Sequence, residues 1–264
     1  MEIVFRYYPG GKTRALTFSY DDGLKEDVRL LEIMNRYGIR GTFHLNSSCI
    51  GSQRCVSAEE VKTVYQNHEV SCHSMTHPFL QQIPQEGIVT QMCEDRHRLE
   101  QLVGYPVRGM SYPYGQYDAN VIAALKVLGI EYSRTVNATL GFALPEDFLQ
   151  WHPTCHCKQD HLELYKQFCA PAPYAHMRLF YSWGHSDEWN GQWDKIEEIC
   201  KTMSAHPDIW YATNIEIVNY IKAMRALRFT CDQTIVYNPS AISVWIAADN
   251  TCVEIKSGET KKLN

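Results

Sequence analysis

Short apolar runs alternate with longer amphipathic stretches along most of the chain. Residues 14–20 form the first clear apolar run, and residues 24–37 follow with apolar positions at helical spacing and Gly38 as a stop signal. Further strands are predicted over residues 41–45, 69–72, 107–112, 132–136, 148–151, 177–183 and 209–212. Further helices are predicted over residues 57–68, 84–103, 119–128, 161–168, 193–203 and 215–227. This alternation predicts a parallel sheet with helices on its outside.

The number of strand–helix units limits the architecture. Roughly seven units before residue 228 indicate a small or incomplete barrel instead of a full eightfold one. From residue 229 the apolar period changes to two, and Asn238-Pro239 and Asp249-Asn250 are turn signals. We therefore expect an α/β barrel domain over residues 1–228. A small antiparallel β appendage over residues 229–264 would pack on the barrel or offer an interaction surface.

Composition narrows the class of protein. The 264 residues include 25 Lys and Arg against 30 Asp and Glu, a net charge of −5, and the absence of a basic run disfavours nucleic-acid binding. No apolar stretch approaches the ~20 residues needed to span a bilayer. The sequence therefore favours a globular protein that acts on neither nucleic acid nor membrane, and it leaves the oligomeric state open.

The N-terminal residues and the cysteines bear on location. The opening sequence MEIVFRYYPGG lacks the basic start, the long apolar core and the cleavage site of a signal peptide. The ten cysteines are scattered, so we expect reduced thiols, many of them buried. These features favour a cytoplasmic location, although a secreted protein that had lost its signal would look the same.

Two polar motifs follow predicted strands and contain residue types that bind metals. Asp21 and Asp22 are adjacent carboxylates, which repel each other unless one ligates a metal and the other serves as a base. His73 and His77 stand four residues apart, as in other two-histidine metal sites. Each motif alone has a plainer interpretation, a solvated Asp-Gly turn or a surface histidine pair.

Two further motifs also follow predicted strands. One is the stiff turn Tyr112-Pro-Tyr-Gly115, and the other is His185 after the strand over residues 177–183; either alone is more typical of an ordinary loop or a structural histidine. All four motifs, however, follow the carboxyl ends of strands, the edge at which α/β barrels form active sites. Two imidazoles and a carboxylate would leave a coordination position open for water or substrate. Their coincidence predicts a single metal-containing active site.

In this order and spacing the motifs resemble those of the polysaccharide deacetylase family, also called the chitooligosaccharide deacetylase homology domain or carbohydrate esterase family four. The resemblance covers residues 14–227. It implies a distorted seven-stranded (β/α) barrel with one divalent metal ion, usually zinc, that hydrolyses N-acetyl or O-acetyl groups on sugars. The matching segments are Ser19-Tyr20-Asp21-Asp22-Gly23, His73-Ser74-Met75-Thr76-His77, Tyr112-Pro113-Tyr114-Gly115 and Gly184-His185.

The resemblance also implies a role for each matching residue. Asp21 corresponds to the catalytic base, and His185 corresponds to the general acid. Pro113 and Tyr114 correspond to the motif that lines the substrate groove, where the main-chain N–H of Tyr114 would help to hold the oxyanion. The implied metal ligands are Asp22, His73 and His77.

The chain departs from the family pattern at residues that tune the base and the acid. Ser111 occupies the position of an arginine that braces the catalytic aspartate, and Arg108 lies three residues earlier. Gln150, which precedes Trp151, occupies the position of an aspartate that orients the catalytic histidine, and Asp147 is a poor local substitute. The metal site is therefore predicted on firmer grounds than the surroundings of the base and the acid.

Aromatic residues crowd the segment around His185. Trp183 replaces the leucine that the family usually has two residues before this histidine. Aromatic faces stack on sugar rings but also fill protein cores, so we expect a mixed role, with Trp189 in the following loop as the leading sugar-binding candidate. The predicted substrate-binding residues are Pro113, Tyr114, Trp151, Trp183 and Trp189.

A second group of soft ligands is present in the sequence. Cys155, His156 and Cys157 are consecutive, and Cys169 follows. A single C-x-C without a second pair lacks the spacing of a structural zinc site. This spacing favours buried or loop thiols over a metal site.

The motifs favour a metal-dependent hydrolase that removes acetyl groups from a carbohydrate. N-acetyl is favoured over O-acetyl, because an amine leaving group requires a proton and His185 can supply it. Two alternatives remain: hydrolysis of another C–N amide bond on the same scaffold, and a catalytically silent carbohydrate-binding protein. The missing arginine and aspartate favour the silent protein, and the intact metal, base and acid residues oppose it. Zinc, cobalt, nickel and iron all accept such a ligand set.

Overall fold

The computed structural model describes residues 1–171 and 177–263 of the chain. In the strand over residues 14–21, seven of the eight residues are buried, as expected for a parallel strand covered on both faces. The strands are β1 (Ile3–Val4), β2 (Arg14–Asp21), β3 (Gly41–Leu45), β4 (Glu69–Cys72), β5 (Gly109–Ser111), β6 (Tyr132–Arg134), β7 (Cys155–His156), β8 (Arg178–His185), β9 (Ile209–Tyr211), β10 (Arg228–Phe229), β11 (Ile235–Tyr237), β12 (Val244–Ala248), β13 (Thr251–Ile255) and β14 (Thr260–Lys262).

Seven parallel strands form one curled sheet in the order β6-β5-β4-β3-β2-β8-β7. The segment before β7 brings the two ends of this sheet together: Trp151 bridges to Arg134 of β6, and the Thr154 N–H donates to the carbonyl of Tyr181 in β8 at 2.8 Å. An eighth strand, β9, pairs only with the first three residues of β2. The predicted distorted seven-stranded (β/α) barrel is therefore confirmed.

Helices cover the sheet, and local signals set their ends. Ser57 and Glu60 form a capping box in which the Ser57 hydroxyl accepts the Glu60 N–H at 3.2 Å and Glu60 accepts the Ser57 N–H at 2.7 Å. No helix among residues 1–171 and 177–263 is both long and apolar enough to cross a membrane. The helices are α1 (Glu26–Arg36), α2 (Ala58–Val64), α3 (Gln85–Val103), α4 (Ala119–Val127), α5 (His161–Cys169), α6 (Trp193–Met203) and α7 (Asn214–Arg225).

One predicted strand is wrong. Residues 148–151 were expected to be extended, but Phe148–Gln150 form a single 3₁₀ turn. Asp147 stabilises this turn, because its carboxylate accepts the Leu149 N–H at 2.9 Å. Asp147 is therefore a local capping residue.

The strand register brings the polar motifs to one edge of the barrel. Asp21 at the end of β2 is in register with His185 at the end of β8. Ser111 at the end of β5 is in register with Arg134 at the end of β6. Because parallel strands share one direction, the segments that follow them open on the same face.

The C-terminal segment forms antiparallel sheets, as its period of two predicted. One sheet has the order β10-β11-β14, and the other has the order β1-β12-β13, so the N-terminal strand β1 joins the tail. The fully buried residues Val236, Val244 and Ile246 belong to one apolar cluster with Ile217 and Ile221 of α7. The tail therefore packs on the barrel, while the domain boundary at residue 228 stays a prediction. Asn264, the last residue of the predicted appendage, lies outside the described residues.

Truncation of Ile246 tests how far the tail contributes to folding. We expect Ile246→Ala to lower the free energy of unfolding by about 2–5 kcal/mol, since it leaves a cavity between the tail and α7. Ile242→Ala is the matched control, because Ile242 is 39% exposed. Denaturant titration measures both. An equal, small effect of the two substitutions would contradict the packing of the tail on the barrel.

Candidate active site

A buried ion pair holds Asp21. Its side chain is 4% exposed, and the Arg134 side chain, fully buried, donates through its guanidinium to Asp21 Oδ2. Asp21 Oδ1 accepts the hydroxyl of Ser111 at 2.9 Å. Burial opposes the ionisation of Asp21, but Arg134, with His73 and other histidines nearby, holds the pKa of this carboxyl well below its usual value. Asp21 is therefore ionised throughout the physiological pH range.

Arg134 was missed by sequence reasoning. It lies at the end of β6, in register with Ser111, the residue that occupies the position of the family's bracing arginine. The ring of Trp183 covers the guanidinium, with the Arg134 Cζ 4.2 Å from the ring centroid. The sequence did contain a signal that could have identified Arg134, namely an arginine at the end of a predicted buried strand. Arg108, the arginine that the sequence suggested, instead pairs with Glu131 at 2.8 Å and is one-third exposed.

Three predicted metal ligands converge beside Asp21. The Nε2 atoms of His73 and His77 are 3.0 Å apart, and Asp22 Oδ1 lies 3.7 Å from His73 Nε2. One ligand atom from each of the three residues lies within 4.8 Å of the other two. Burial and the neighbouring His73 lower the pKa of His77, so its ring is neutral and can offer a lone pair. This donor set fits a divalent cation.

A hydrogen bond at Nδ1 fixes the orientation of the His73 ring. Its Nδ1–H donates to the carbonyl oxygen of Ser111 at 2.9 Å, which leaves Nε2 to face His77 and Asp22. The His73 N–H donates to Asp95 on α3 at 3.1 Å. This arrangement presets the tautomer that a metal-binding histidine needs.

Two residues that support the His73 loop were also missed. Asn46 donates to the carbonyl oxygens of His73 at 2.6 Å and Ser74 at 2.8 Å. Asp95, fully buried, accepts the N–H groups of Ser47 and His73. A signal for Asp95 was present in the sequence, since it falls on the buried stripe of α3. That stripe consists of Ile88, Met92, Asp95 and Leu99.

His185 lies on the opposite side of Asp22. Its Nε2 is 3.9 Å from Asp22 Oδ2, and its Nδ1 is 3.4 Å from Glu188 Oε2. Burial alone would lower the pKa of His185, but the hydrogen bond with Glu188 and the charges of Asp21 and Asp22 raise it to about 9. Glu188, and not Asp147, is therefore the carboxylate that contacts this histidine. Sequence reasoning missed it, although it stands only three residues away.

The backbone is strained at the motifs that form the candidate active site. Four of the ten non-glycine residues with positive φ in the described chain belong to these motifs. Such conformations cost free energy and cluster at functional sites. The four residues are Asp22, Ser74, His77 and Tyr114.

The tryptophans differ from the sequence-based expectation. Trp151, Trp183 and Trp189 are 1%, 8% and 2% exposed, and Trp189 Nε1 donates to the hydroxyl of Tyr20 at 3.0 Å. Their ring faces are covered by protein, which contradicts the expectation that Trp189 offers a face to a sugar. Trp189 folds inward because the residues after His185 form a 3₁₀ turn.

Two other aromatic rings are exposed at the site. Tyr114 and Phe79 are 50% and 39% exposed, and their rings stack at 3.9 Å between centroids. The Tyr114 ring also lies 4.4 Å from that of His77, while Pro113 is buried at the start of this turn. A cleft of about 420 Å³ opens nearby, and its lining includes Asp22, Asn46, Arg54 and His77.

Removal of Arg134 tests the buried ion pair. We expect Arg134→Met to lower the free energy of unfolding by about 3–5 kcal/mol near neutral pH, because it leaves the buried Asp21 charge unpaired. Asp21 has a lowered pKa in the folded state, so the pair stabilises the protein above pH ~4 and this stabilisation fades as the pH falls further. The difference between wild type and variant should shrink accordingly.

The control for this experiment is Arg108→Met, which removes a partly exposed pair and should cost about 1 kcal/mol or less. Adding Asp21→Asn to Arg134→Met should recover part of the loss. Denaturant titrations across pH measure these effects. Equal costs for the two arginine substitutions would refute the role of Arg134.

Comparison with known proteins gives a sequence match over part of the chain. Residues 8–133 match the family model for polysaccharide deacetylase. A chitin deacetylase from Pestalotiopsis sp is 28% identical over 129 residues, which are 48% of this chain and 42% of that protein. The match thus spans less than half the length of this curated relative.

Solved structures share the fold over most of the chain. A protein from Mycobacterium smegmatis assigned to the polysaccharide deacetylases has a TM-score of 0.60 at 15% identity and covers 85% of this chain and 96% of its own. A carbohydrate esterase family 4 pseudoenzyme from Bacillus anthracis has a TM-score of 0.52 at 17% identity, over 81% of this chain and 68% of its own. At these identities the likeness is one of fold. The sequence match over residues 8–133 and the shared barrel confirm the resemblance of the motifs to those of the polysaccharide deacetylase family.

Proposed function

We propose that the protein is a metal-dependent hydrolase that removes N-acetyl groups from a carbohydrate. The observation that supports this most is the convergence of Asp22, His73 and His77 beside an ionised, braced Asp21. His185, the candidate acid, closes the same site from the other side. The carbohydrate substrate is inferred from the match of residues 8–133 to the polysaccharide deacetylase family.

Asp22, His73 and His77 would hold the metal ion. When bound, a divalent ion at this position polarises an acetyl carbonyl and lowers the pKa of water beside it. His73 is preset for this role, because its Nδ1–H is already donated to Ser111. The neutral ring of His77 can supply its lone pair without losing a proton first.

Asp21 is the proposed general base. Arg134 and the Ser111 hydroxyl keep the carboxylate ionised and fix its orientation. It can therefore accept a proton from the attacking water. The main-chain N–H of Tyr114 would stabilise the oxyanion that develops on the acetyl group.

His185 is the proposed general acid, and the presence of a proton donor supports an N-acetyl amide as the bond that is hydrolysed. An amine leaves only when protonated, whereas an alkoxide leaving group depends less on a proton donor. The contact with Glu188 favours the imidazolium form of His185, so the proton is in place before the C–N bond breaks. Hydrolysis of another C–N amide bond would use the same groups, and acetate release distinguishes the two.

The arrangement argues against a silent carbohydrate-binding protein. That alternative gained weight from the lack of the family's bracing arginine and aspartate. Arg134 contacts the base and Glu188 contacts the acid, so both functions have substitutes elsewhere in the chain. The observation that favoured a silent protein is therefore removed.

Replacement of the base tests the mechanism. Asp21→Asn should lower acetate release from N-acetylglucosamine oligomers by roughly 10²–10⁴-fold and keep the metal, because Asp21 is not one of the ligands. Acetate assay and elemental analysis of the same sample measure the two quantities. Unchanged turnover would contradict the assignment of Asp21 as the general base.

Replacement of the acid tests the leaving-group argument. His185→Ala should slow amide substrates much more than activated acetyl esters, whose leaving groups need no proton. His97→Ala is the control, since His97 is exposed on α3 and contacts Gln101. Equal losses on amide and ester would assign His185 to substrate binding instead.

A further inference from the structure

Three metal-binding side chains also converge on the far side of His185. Glu188 Oε2 lies 3.2 Å from His156 Nε2 and 3.0 Å from the thiol sulfur of Cys157. Cys157 Sγ is 3.8 Å from His156 Nδ1, so either ring nitrogen of His156 faces the cluster. One ligand atom from each residue lies within 4.8 Å of the others. None of these residues belongs to the Asp22–His73–His77 site.

The strand pairing of β7 and β8 forms this cluster. The Cys157 N–H donates to the Trp183 carbonyl, at 2.6 Å, which places the thiol against the end of β8. Gly184 makes room for it, because a Cβ there would lie 2.4 Å from Cys157 Sγ. The 3₁₀ turn Ser186–Trp189 then returns Glu188 to the same point. The three ligands are therefore fixed by backbone geometry.

The two oxygens of Glu188 have separate partners. Lys158 donates to Oε1 at 2.6 Å, whereas Oε2 faces His156 and Cys157 and also accepts the main-chain N–H of His185 at 2.9 Å. Lys158 can thus keep its contact while Oε2 binds an ion. Cys157 is 2% exposed, but the side chains of His156 and Glu188 are 23% and 14% exposed and provide the entry side.

Thiolate, imidazole and carboxylate together are the ligands of zinc-like ions. Zinc binds sulfur at about 2.3 Å and nitrogen or oxygen at about 2.0–2.2 Å, so its tetrahedral ligands are roughly 3.3–3.6 Å apart. The distances of 3.0 and 3.2 Å around Oε2 approach this spacing. Binding forms a metal–sulfur bond and releases the thiol proton to solvent.

We propose that His156, Cys157 and Glu188 form a second, sulfur-containing site for a divalent ion such as Zn²⁺, and that its occupancy draws Glu188 away from His185. The ion would take Oε2, the oxygen that lies 3.4 Å from His185 Nδ1. It would also place positive charge beside this histidine. The site itself does not depend on the proposed hydrolysis. Its expected effect, inhibition of acetate release by excess zinc, rests on the proposed function.

Cobalt spectroscopy tests the site without any assay of activity. The ligands Asp22, His73 and His77 include no sulfur, so a near-ultraviolet thiolate-to-Co²⁺ charge-transfer band that is lost in Cys157→Ser reports the second site. We expect this band when Co²⁺ is added to the metal-free protein, and we expect its loss in Cys157→Ser. It should persist in the double variant His73→Ala, His77→Ala and in Cys93→Ser, which replaces an exposed thiol.

A band that is absent at excess Co²⁺, or that survives in Cys157→Ser, would overturn the proposal. His156→Gln gives an independent check if Cys157→Ser folds poorly, and it should weaken cobalt binding by roughly tenfold or more. If acetate release is found, excess Zn²⁺ should inhibit the wild type more strongly than Cys157→Ser. Equal inhibition of the two would refute the link to His185.

Discussion

The carboxylate of Asp21 is buried in the barrel, and it determines which charges and hydrogen-bond donors the surrounding residues must supply. An ionised group at 4% exposure is stable only if opposite charge and hydrogen-bond donors surround it. Arg134 supplies the charge, and Ser111 supplies a hydroxyl. Ser111 also accepts the Nδ1–H of His73 through its carbonyl oxygen, so one residue connects Asp21, the proposed base, to His73, a proposed metal ligand. The register of β5 and β6 makes these contacts possible.

The same constraint explains how this chain departs from the pattern of the polysaccharide deacetylase family. The buried Asp21 carboxylate needs a positively charged partner, but this arginine does not have to come from β5. Here Ser111 leaves space on that strand, and Arg134 on the next strand fills it. Trp183, which replaces a smaller leucine, covers the guanidinium from the opposite side. Glu188, from the turn after His185, contacts His185, whereas the family pattern has an aspartate before the tryptophan at the position of Trp151. The contacts to Asp21 and His185 are thus made by residues at other positions than in the family pattern.

Features formed by residues close together in the sequence could be predicted, whereas contacts between residues far apart in the sequence could not. The strand–helix alternation and the metal-ligand motifs were readable because each is local: Asp21 and Asp22 are adjacent, and His73 and His77 stand four apart. Arg134 lies 113 residues from Asp21, so only the strand order brings the two together. The burial of Trp189 likewise depends on a turn whose direction the aromatic pattern does not encode. The 3₁₀ turn at Phe148–Gln150 was misassigned because its apolar residues are equally common in strands.

The central claim is that Asp22, His73 and His77 form one metal site at the carboxyl edge of the barrel. Calorimetric titration of Zn²⁺ into the metal-free protein tests it most directly, with Cys157→Ser as the background to remove sulfur ligation. We predict binding of one ion per chain, lost when His73→Ala and His77→Ala are added. Absence of binding, or equal binding with and without the two histidines, would contradict the claim.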